Sequence, residues 1–457
     1  MIVKRLFEPL IAQNSYLIGC AAAGEAIVID PNRNLQQYVD AAAAAGLRIT
    51  HVTETHIHAD FASGARELAH RTGATLCLSD EGDQDWKYRF DYDRPLKHGD
   101  RITLGNVTIE VLHTPGHTPE HLTFLVTDGA AADRAIAAVT GDFVFVGDVG
   151  RPDLLEKAAK QAGTMAASAK TLWRSLQEFA KQPDWLQIWP GHGAGSSCGK
   201  GISAVPHSTM GYERLFNWAF HVKSEAEFVE QVLTGQPDPP PYFAVMKQVN
   251  KEQRLAADDQ RSPDRAADNV GQPTLEEVLA AGHLVVDTRS AEQFAASHRH
   301  GALNIPLNGS FVTWAGWLVP YDRSFYLITD RLDDVRRALA LIGLDRIAGH
   351  FSEFSGRGGE SIPQIDAEEL SRRLASNGLV LIDVRNDHEW QDGHIPAAMH
   401  IPLGRLAERI DEVPADKPIV VHCQLGGRSA IAASVLQRLG RKNVANLVGG
   451  YSAFVAR

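Results

Sequence analysis

Short runs of β period open the chain. VKRLF, SYLIG and EAIVID carry apolar side chains at alternate positions or continuously, as half-buried and fully buried strands do. An Ala-rich stretch from Leu35 to Ala45 then takes helical spacing and ends near Gly46. Strand and helix patterns alternate from there. ITHVTET, ATLCLS, the hairpin ITLGNVTIEVLHT, HLTFLVT and AIAAVTGDFVF read as strands. Ser63–Thr72, stopped by Gly73, and the stretches Thr171–Ala180 and Tyr212–Ala219 read as helices, with PPPYFAVMKQVNK closing the series. This order predicts a layered αββα sandwich over residues 1–255.

Periodicity lapses in AADDQRSPDRAADNVGQP, which is polar and charged and reads as a linker. Beyond it, one α/β pattern is written twice. LVVDTRSAEQFAASHRHGALNIPL matches Leu379–Leu403 without a gap from Asp287 and Asp383 onward: both copies read D-x-R, then His298 or His394, then I-P-L. Two small parallel α/β domains are expected, 272–355 and 364–457, joined by SGRGGESIP; the fold class is α/β throughout. Two copies make a tandem pair and not a solenoid. The copies part where chemistry would occur. The second continues into IVVHCQLGGRS, whereas the first continues into FYLITDRLDD, with no cysteine and a shorter loop.

Composition narrows the function classes. The chain is 44% hydrophobic and 22% charged, and no apolar run approaches the ~20 residues that cross a bilayer. A net charge of −11 argues against nucleic-acid or membrane partners. MIVKRLFEPL lacks a secretory h-region, and the four cysteines form no CxxC pair, so a reducing cytoplasm is expected. Cys20 and Cys77 lie in strand-like apolar surroundings and are expected to be buried.

In ITHVTETHIHADFASG an apolar strand leads into His56, His58 and Asp60, which period-two alternation would place on one side. Two imidazoles and a carboxylate are ligands of first-row transition metals. With 19 histidines in the chain, HxH alone carries little weight. Three more fragments strengthen it: TPGHT (His117), TGDFVF (Asp142) and WPGHG (His192) each place such a residue directly after glycine at the end of a β run.

In this order the fragments resemble the metallo-β-lactamase fold, in its glyoxalase II and persulfide dioxygenase branch. The two-metal hydrolases of that fold read HxHxDH in the first cluster; here Phe61 takes the last position. A benzyl group cannot donate to a metal, which leaves a second site only Asp60, His192 and a shared Asp142, and disfavours a dinuclear zinc hydrolase. The resemblance to persulfide dioxygenases implies one Fe(II) per chain, held by His56, His117 and Asp142, with three open positions for a sulfur substrate and O2. His58, Asp60 and His192 would orient ligands and waters around it. Arg151 in GDVGRPDL and Lys200 in GHGAGSSCGK are expected to hold the carboxylates of a thiol such as glutathione, unless Arg151 pairs structurally with Asp153. Cys198 is either an inert loop residue or a transient persulfide site.

Downstream, the strand PIVVHC runs into Cys423-Gln424-Leu425-Gly426-Gly427-Arg428, and a helix from Ser429 to Leu439 follows. Inward-pointing amides and the helix N-terminus would form an anion nest around a nucleophilic Cys423 thiolate. Gln424, Leu425, Gly426, Gly427 and Ser429 would cradle the substrate, and Arg428 would close over its charge. This loop, with LIDVRNDHEWQDGHIPAAMHIPL, resembles a rhodanese domain, and six residues from Cys to Arg is the sulfurtransferase length. The resemblance implies that Cys423 takes up a sulfane sulfur and passes it on, while Asp383, Arg385 and His394 brace the fold. The first copy resembles an inactive rhodanese, with Asp330 and Arg331 where the loop would be.

The whole order resembles bacterial persulfide dioxygenase–rhodanese fusions. It implies oxidation of a low-molecular-weight persulfide such as glutathione persulfide by O2 to sulfite and thiol, coupled to sulfane-sulfur transfer with thiosulfate. The expected partners are those small molecules, within a homo-oligomer. The alternative is a zinc-dependent thioester hydrolase of the glyoxalase II type fused to a sulfurtransferase.

Overall fold

A computed structural model describes residues 1–157, 163–236, 238–252, 273–352, 359–376 and 378–456. Nearly all of the first expected linker and half of the second lie outside the described residues. The chain divides into two compact units, Met1–Gln260 with Leu339–Gly343, and Arg261–Ala338 with Leu344–Arg457. No described helix is long and apolar enough to cross a membrane.

The first unit holds two six-stranded sheets. One is formed in sequence order by β1 (Ile2–Glu8), β2 (Gln13–Cys20), β3 (Glu25–Ile29), β4 (Arg48–Thr53), β5 (Thr75–Ser79) and β6 (Arg94–Leu96). The other contains β7 (Arg101–Leu104), β8 (Val107–His113), β9 (Leu122–Asp128), β10 (Ala137–Gly141), β11 (Gln187–Pro190) and β12 (Ser208–Thr209). Inward-facing residues of both sheets, among them Tyr16, Ile27, Ile109, Phe124 and Val139, bury one another. Helices Leu35–Ala44 and Ala65–Thr72 cover the outer face of the first sheet through Tyr38, Ala42 and Leu68. Leu172, Leu176 and Phe228, from helices Met165–Phe179 and Glu225–Leu233, cover the second. The expected αββα layering is therefore present. Helix Met165–Phe179 starts ahead of the expected Thr171 because Met165–Lys170 favours helix by propensity without showing an apolar stripe.

The second unit contains both copies, each on its own parallel sheet. The first copy orders β14 (Leu303–Asn304), β13 (Leu284–Asp287), β15 (Phe325–Ile328) and β16 (Ile347–Phe351). The second orders β17 (Gln364–Ile365), β21 (Val444–Leu447), β20 (Ile419–His422), β18 (Val380–Asp383) and β19 (Ala398–His400). The copies share one unit because they pack together: Asn304 N–H donates to Ser434 Oγ at 3.0 Å, and the Trp317 ring lies against Gly404 so closely that a Cβ there would fall 2.5 Å from it.

Equivalent register ties the copies residue by residue. Asp287 pairs with Ile328 across β13 and β15, and Asp383 pairs with His422 across β18 and β20. The next position is Thr329 in one copy and Cys423 in the other. The residue standing where the expected nucleophile would be is thus Thr329, one position before the expected Asp330 and Arg331. The D-x-R brace recurs as well: Arg289 and Arg385 each fork onto their own aspartate, and each donates to a loop carbonyl, Ser297 O at 3.1 Å and Gly393 O at 2.7 Å. His298 and His394 each place Nδ1 on the carbonyl four residues earlier.

Candidate functional site

Strand β4 ends at Thr53, so His56, His58 and Asp60 lie on an irregular buried segment and not on an alternating strand. They face different partners for that reason. His56 meets His117 and Asp142, with one donor atom from each within 4.8 Å of the others. Asp142 Oδ2 lies 4.0 Å from His56 Nε2 and 3.7 Å from His117 Nε2.

Hydrogen bonds set the tautomers of both imidazoles. The Thr55 hydroxyl donates to Asp30 at 2.9 Å, so at 2.9 Å from His56 Nδ1 it accepts a proton from that nitrogen. His117 Nδ1 donates to the Arg151 carbonyl at 2.9 Å. Each ring therefore presents an unprotonated Nε2 towards Asp142 Oδ2. His56 Nε2 and Asp142 Oδ2 are buried without a hydrogen-bond partner, an arrangement that costs free energy unless a cation fills the gap. Burial holds His56 well below the usual imidazole range, reinforced by His58 nearby, which keeps it neutral as a ligand must be. These three residues fit a divalent metal ion bound on one face.

Glycine brings the ligands in. Gly141 takes φ +49° immediately before Asp142, and a Cβ there would sit 2.4 Å from Thr55 Oγ1. Gly116, at φ +144° before His117, lies so close to helix Met165–Phe179 that a Cβ would meet Leu172 Cα at 2.4 Å.

The remaining expected residues fall into two groups. His58 Nε2 bonds Asp30 at 3.1 Å; burial opposes its charge, but Asp30 lifts its pKa to about 9, so that nitrogen holds a proton and not a lone pair. His192 Nδ1 donates to Asp142 Oδ1 at 2.8 Å and steadies that carboxylate. Its Nε2 lies 2.7 Å from Asp60 Oδ2 but off the line of a hydrogen bond. Buried Cys198 completes a second trio with Asp60 and His192. The third member is therefore Cys198, where the sequence pointed to a shared Asp142. Burial pushes the Cys198 thiol up, helped by Asp60 and Asp142. Phe61 is fully buried, its ring 4.3 Å from that of His58.

Lys200 does not stand as expected, and Arg151 takes the structural alternative, pairing with Asp153. Arg151 is fully buried; it forks onto Asp153 at 2.7 Å and donates to Ser197 O at 3.1 Å, so it belongs to the wall of the site and not to a substrate rim. Lys200 Nζ is tied to the carbonyls of Gln231 and Thr234 at the end of helix Glu225–Leu233. Asp30, at φ +53° after β3, anchors Thr55 and His58 and escaped the sequence reading; its one signal was an aspartate closing the buried run EAIVID.

In the second unit, Cys423 follows β20 and its Sγ accepts from Gly426 N–H at 3.1 Å and from the Ser429 hydroxyl at 3.6 Å. Helix Gly427–Arg438 starts inside the loop, two residues before the expected Ser429. Gly426 takes φ +101°, which lets its amide face the sulfur. Gln424 Oε1 accepts from Arg385 at 3.0 Å, and Leu425 is 73% exposed at the mouth. Arg428 forks onto Glu389 with both contacts at 2.6 Å. Burial opposes the Glu389 charge, yet Arg428 holds its carboxyl below the usual range. Glu389 is a partner the sequence reading missed.

The metallo-beta-lactamase superfamily profile matches residues 9–192, and the rhodanese-like domain profile matches residues 366–457. A crystal structure of a metallo-beta-lactamase from Staphylococcus aureus subsp. aureus COL is 40% identical and superposes with a TM-score of 0.68, covering 77% of this chain and 98% of that one. The human mitochondrial persulfide dioxygenase ETHE1 is 30% identical over 199 residues, 42% of this chain and 68% of its own length. A sulfurtransferase from Allochromatium vinosum is 37% identical over 94 residues, 20% of this chain and 88% of its own. Several other curated relatives are spanned over 46–60% of their length. The chain belongs to the metallo-beta-lactamase superfamily, with persulfide dioxygenase homologues, and is fused to a C-terminal rhodanese-like domain with sulfurtransferase homologues.

Proposed function

We propose that the first unit is a persulfide dioxygenase with one Fe(II), and that Cys423 is the sulfur carrier of a sulfurtransferase. The observation carrying the first half is the pair of Nε2 lone pairs aimed at an unpartnered Asp142 oxygen, with the buried Phe61 ring packed against His58. His56, His117 and Asp142 would hold the iron, which would supply adjoining positions for a persulfide sulfur and O2. Thr55 and the Arg151 carbonyl keep the two rings oriented, and His192 fixes the rotation of Asp142. The overall reaction is RSSH + O2 + H2O → RSH + H2SO3, in which the outer sulfur is oxidised and O2 reduced. Glutathione persulfide is the substrate favoured by the resemblance.

At the second site, thiolate Cys423 attacks a sulfane sulfur and becomes Cys-S-S⁻, while the donor leaves as sulfite or thiolate. The Gly426 amide and the Ser429 hydroxyl stabilise the sulfur charge. Sulfite attack on that persulfide returns the thiolate and yields thiosulfate; the reverse reaction charges Cys423 from thiosulfate. Iron content per chain, measured together with O2 consumption on glutathione persulfide, tests the reading. About one iron and persulfide-dependent O2 uptake support it. Paired zinc ions with thioester cleavage and no O2 uptake would establish the hydrolase instead.

A further inference from the structure

The first copy lost its nucleophile but kept the edge at which a parallel sheet binds ligands. Residues at or just beyond the C-terminal ends of all four of its strands line one cavity of about 760 Å³: Thr288–Gln293 after β13, Pro306–Asn308 beyond β14, Ile328–Arg331 at β15 and Ser352 after β16. Open parallel sheets bind ligands along this edge. In the second copy the same position carries the persulfide loop, since Thr329 stands in register with Cys423. The facing wall comes from the second copy itself: Gly427, Arg428 and Ile431, in the first turns of helix Gly427–Arg438, close the cavity. Arg428 therefore stands between the persulfide loop and the cavity of its inactive twin.

The lining is rich in donors. Arg289, Arg331 and Arg428 face it with the hydroxyls of Ser290, Thr329 and Ser352, against two carboxylates, Glu292 and Asp330. Asp287 and Glu389 hold Arg289 and Arg428 in forked pairs, so these two guanidinium groups are ordered before any ligand arrives, while Arg331, paired with Asp334, is largely exposed. Leu307 and Trp314 add apolar floor. A volume in the range of ordinary small-molecule sites, roughly 300–1,000 Å³, accommodates an organic molecule and not merely a single ion.

We propose that this cavity binds a small organic molecule bearing carboxylate or phosphate oxyanions, and that its occupancy is transmitted to Cys423 through Arg428. The inactive copy is thereby a ligand-sensing module for the active one. The binding site stands whether or not Cys423 transfers sulfur, so its test uses readouts other than turnover.

Trp314 reports on the cavity. The full chain is titrated with S-methylglutathione, which has carboxylates and no thiol, and separately with ADP; tryptophan emission and the rate of Cys423 alkylation by iodoacetamide are followed. A saturable emission change is expected with one of the two, which identifies a carboxylate or a phosphate ligand, and Trp314→Phe abolishes it. Arg331→Ala, at a largely exposed side chain, weakens binding about tenfold, as loss of a charge-assisted contact does. Ser352→Trp fills the cavity from its exposed rim and has the same effect. At saturation, Cys423 alkylation changes about twofold or more in the wild type and remains unchanged in Arg331→Ala. Absence of saturable binding by both probes overturns the proposal, as does wild-type affinity in both variants. Binding that leaves alkylation unaltered overturns the coupling, and an alkylation effect retained in Arg331→Ala would place the anion in the persulfide loop instead.

Discussion

At the residue scale, the two chemistries separate cleanly. His117→Ala removes a proposed metal ligand from the first unit, and iron content and O2 uptake should fall to background while thiosulfate-dependent sulfur transfer persists. Cys423→Ser should give the opposite pattern; loss of both activities in either variant would contradict independent sites. Thr55→Val keeps the side-chain shape but deletes the hydroxyl that holds the His56 tautomer. Iron affinity should drop about 10–100-fold, as when an outer partner of a metal-bound histidine is lost. Equilibrium dialysis measures it, and an unchanged affinity would show that His56 orients without Thr55. Phe61→His places an imidazole against His58, next to Asp60 in sequence, and should raise zinc occupancy measured per chain. The glycine-preceded fragments made His117, Asp142 and His192 legible in the sequence because a sharp turn needs a residue the eye can find. Asp30 and Glu389 were not legible, since a carboxylate bonding across the fold leaves no local spacing. Lys200 misled because a cation near a motif shows its charge but not its neighbours, here two helix-end carbonyls; for Arg151 the nearby Asp153 kept the structural pairing open in the sequence.

At the element scale, glycine sets how tightly the catalytic loops pack against helices. Gly450 takes φ +57°, and a Cβ there would lie 2.3 Å from the Cys423 carbonyl oxygen. Gly450→Ala must therefore strain its backbone, at about 1–3 kcal/mol, and displace the persulfide loop. Sulfur transfer should fall sharply while O2 uptake is unaffected; wild-type transfer would mean that the loop tolerates the shift. The repeat was legible at this scale because both copies reuse an Asp-Arg brace, and its recurrence in the structure explains why those residues match when the loop between strand and helix does not. The first helical turn of the Cys loop was less legible. Helix Gly427–Arg438 recruits two residues that sequence propensity assigns to a turn, since Gly427 is an unfavourable helix former until the strand and loop hold it. The alternation expected of His56, His58 and Asp60 beyond the strand failed for the converse reason: tertiary contacts to Asp30, Asp142 and His192 outweighed local periodicity.

At the scale of the whole molecule, the chain has two compact units, and among the described residues both groups of side chains able to hold a metal lie in the first unit. Treatment of the full chain with a strong chelator should abolish persulfide-dependent O2 uptake and leave thiosulfate sulfurtransferase activity intact, with O2 uptake returning on anaerobic addition of Fe(II). Loss of transfer as well would tie Cys423 to the metal. Fold layering and the tandem copies could be read from the sequence pattern, whereas the shared cavity could not, because its walls come from segments as far apart as Thr288 and Ile431. The same long reach fixes the nucleophile's own support. The Tyr451 amide donates to Cys423 O at 2.7 Å and the Ser452 amide to Gln424 O at 3.1 Å. Genetic surveys that weight a codon by its distance along the gene from the reactive cysteine would score Tyr451 and Ser452 as peripheral. A frameshift or premature stop before codon 450 should instead be classed as null for sulfur transfer, and a change there deserves the same prior as one in the CxxGxR signature itself.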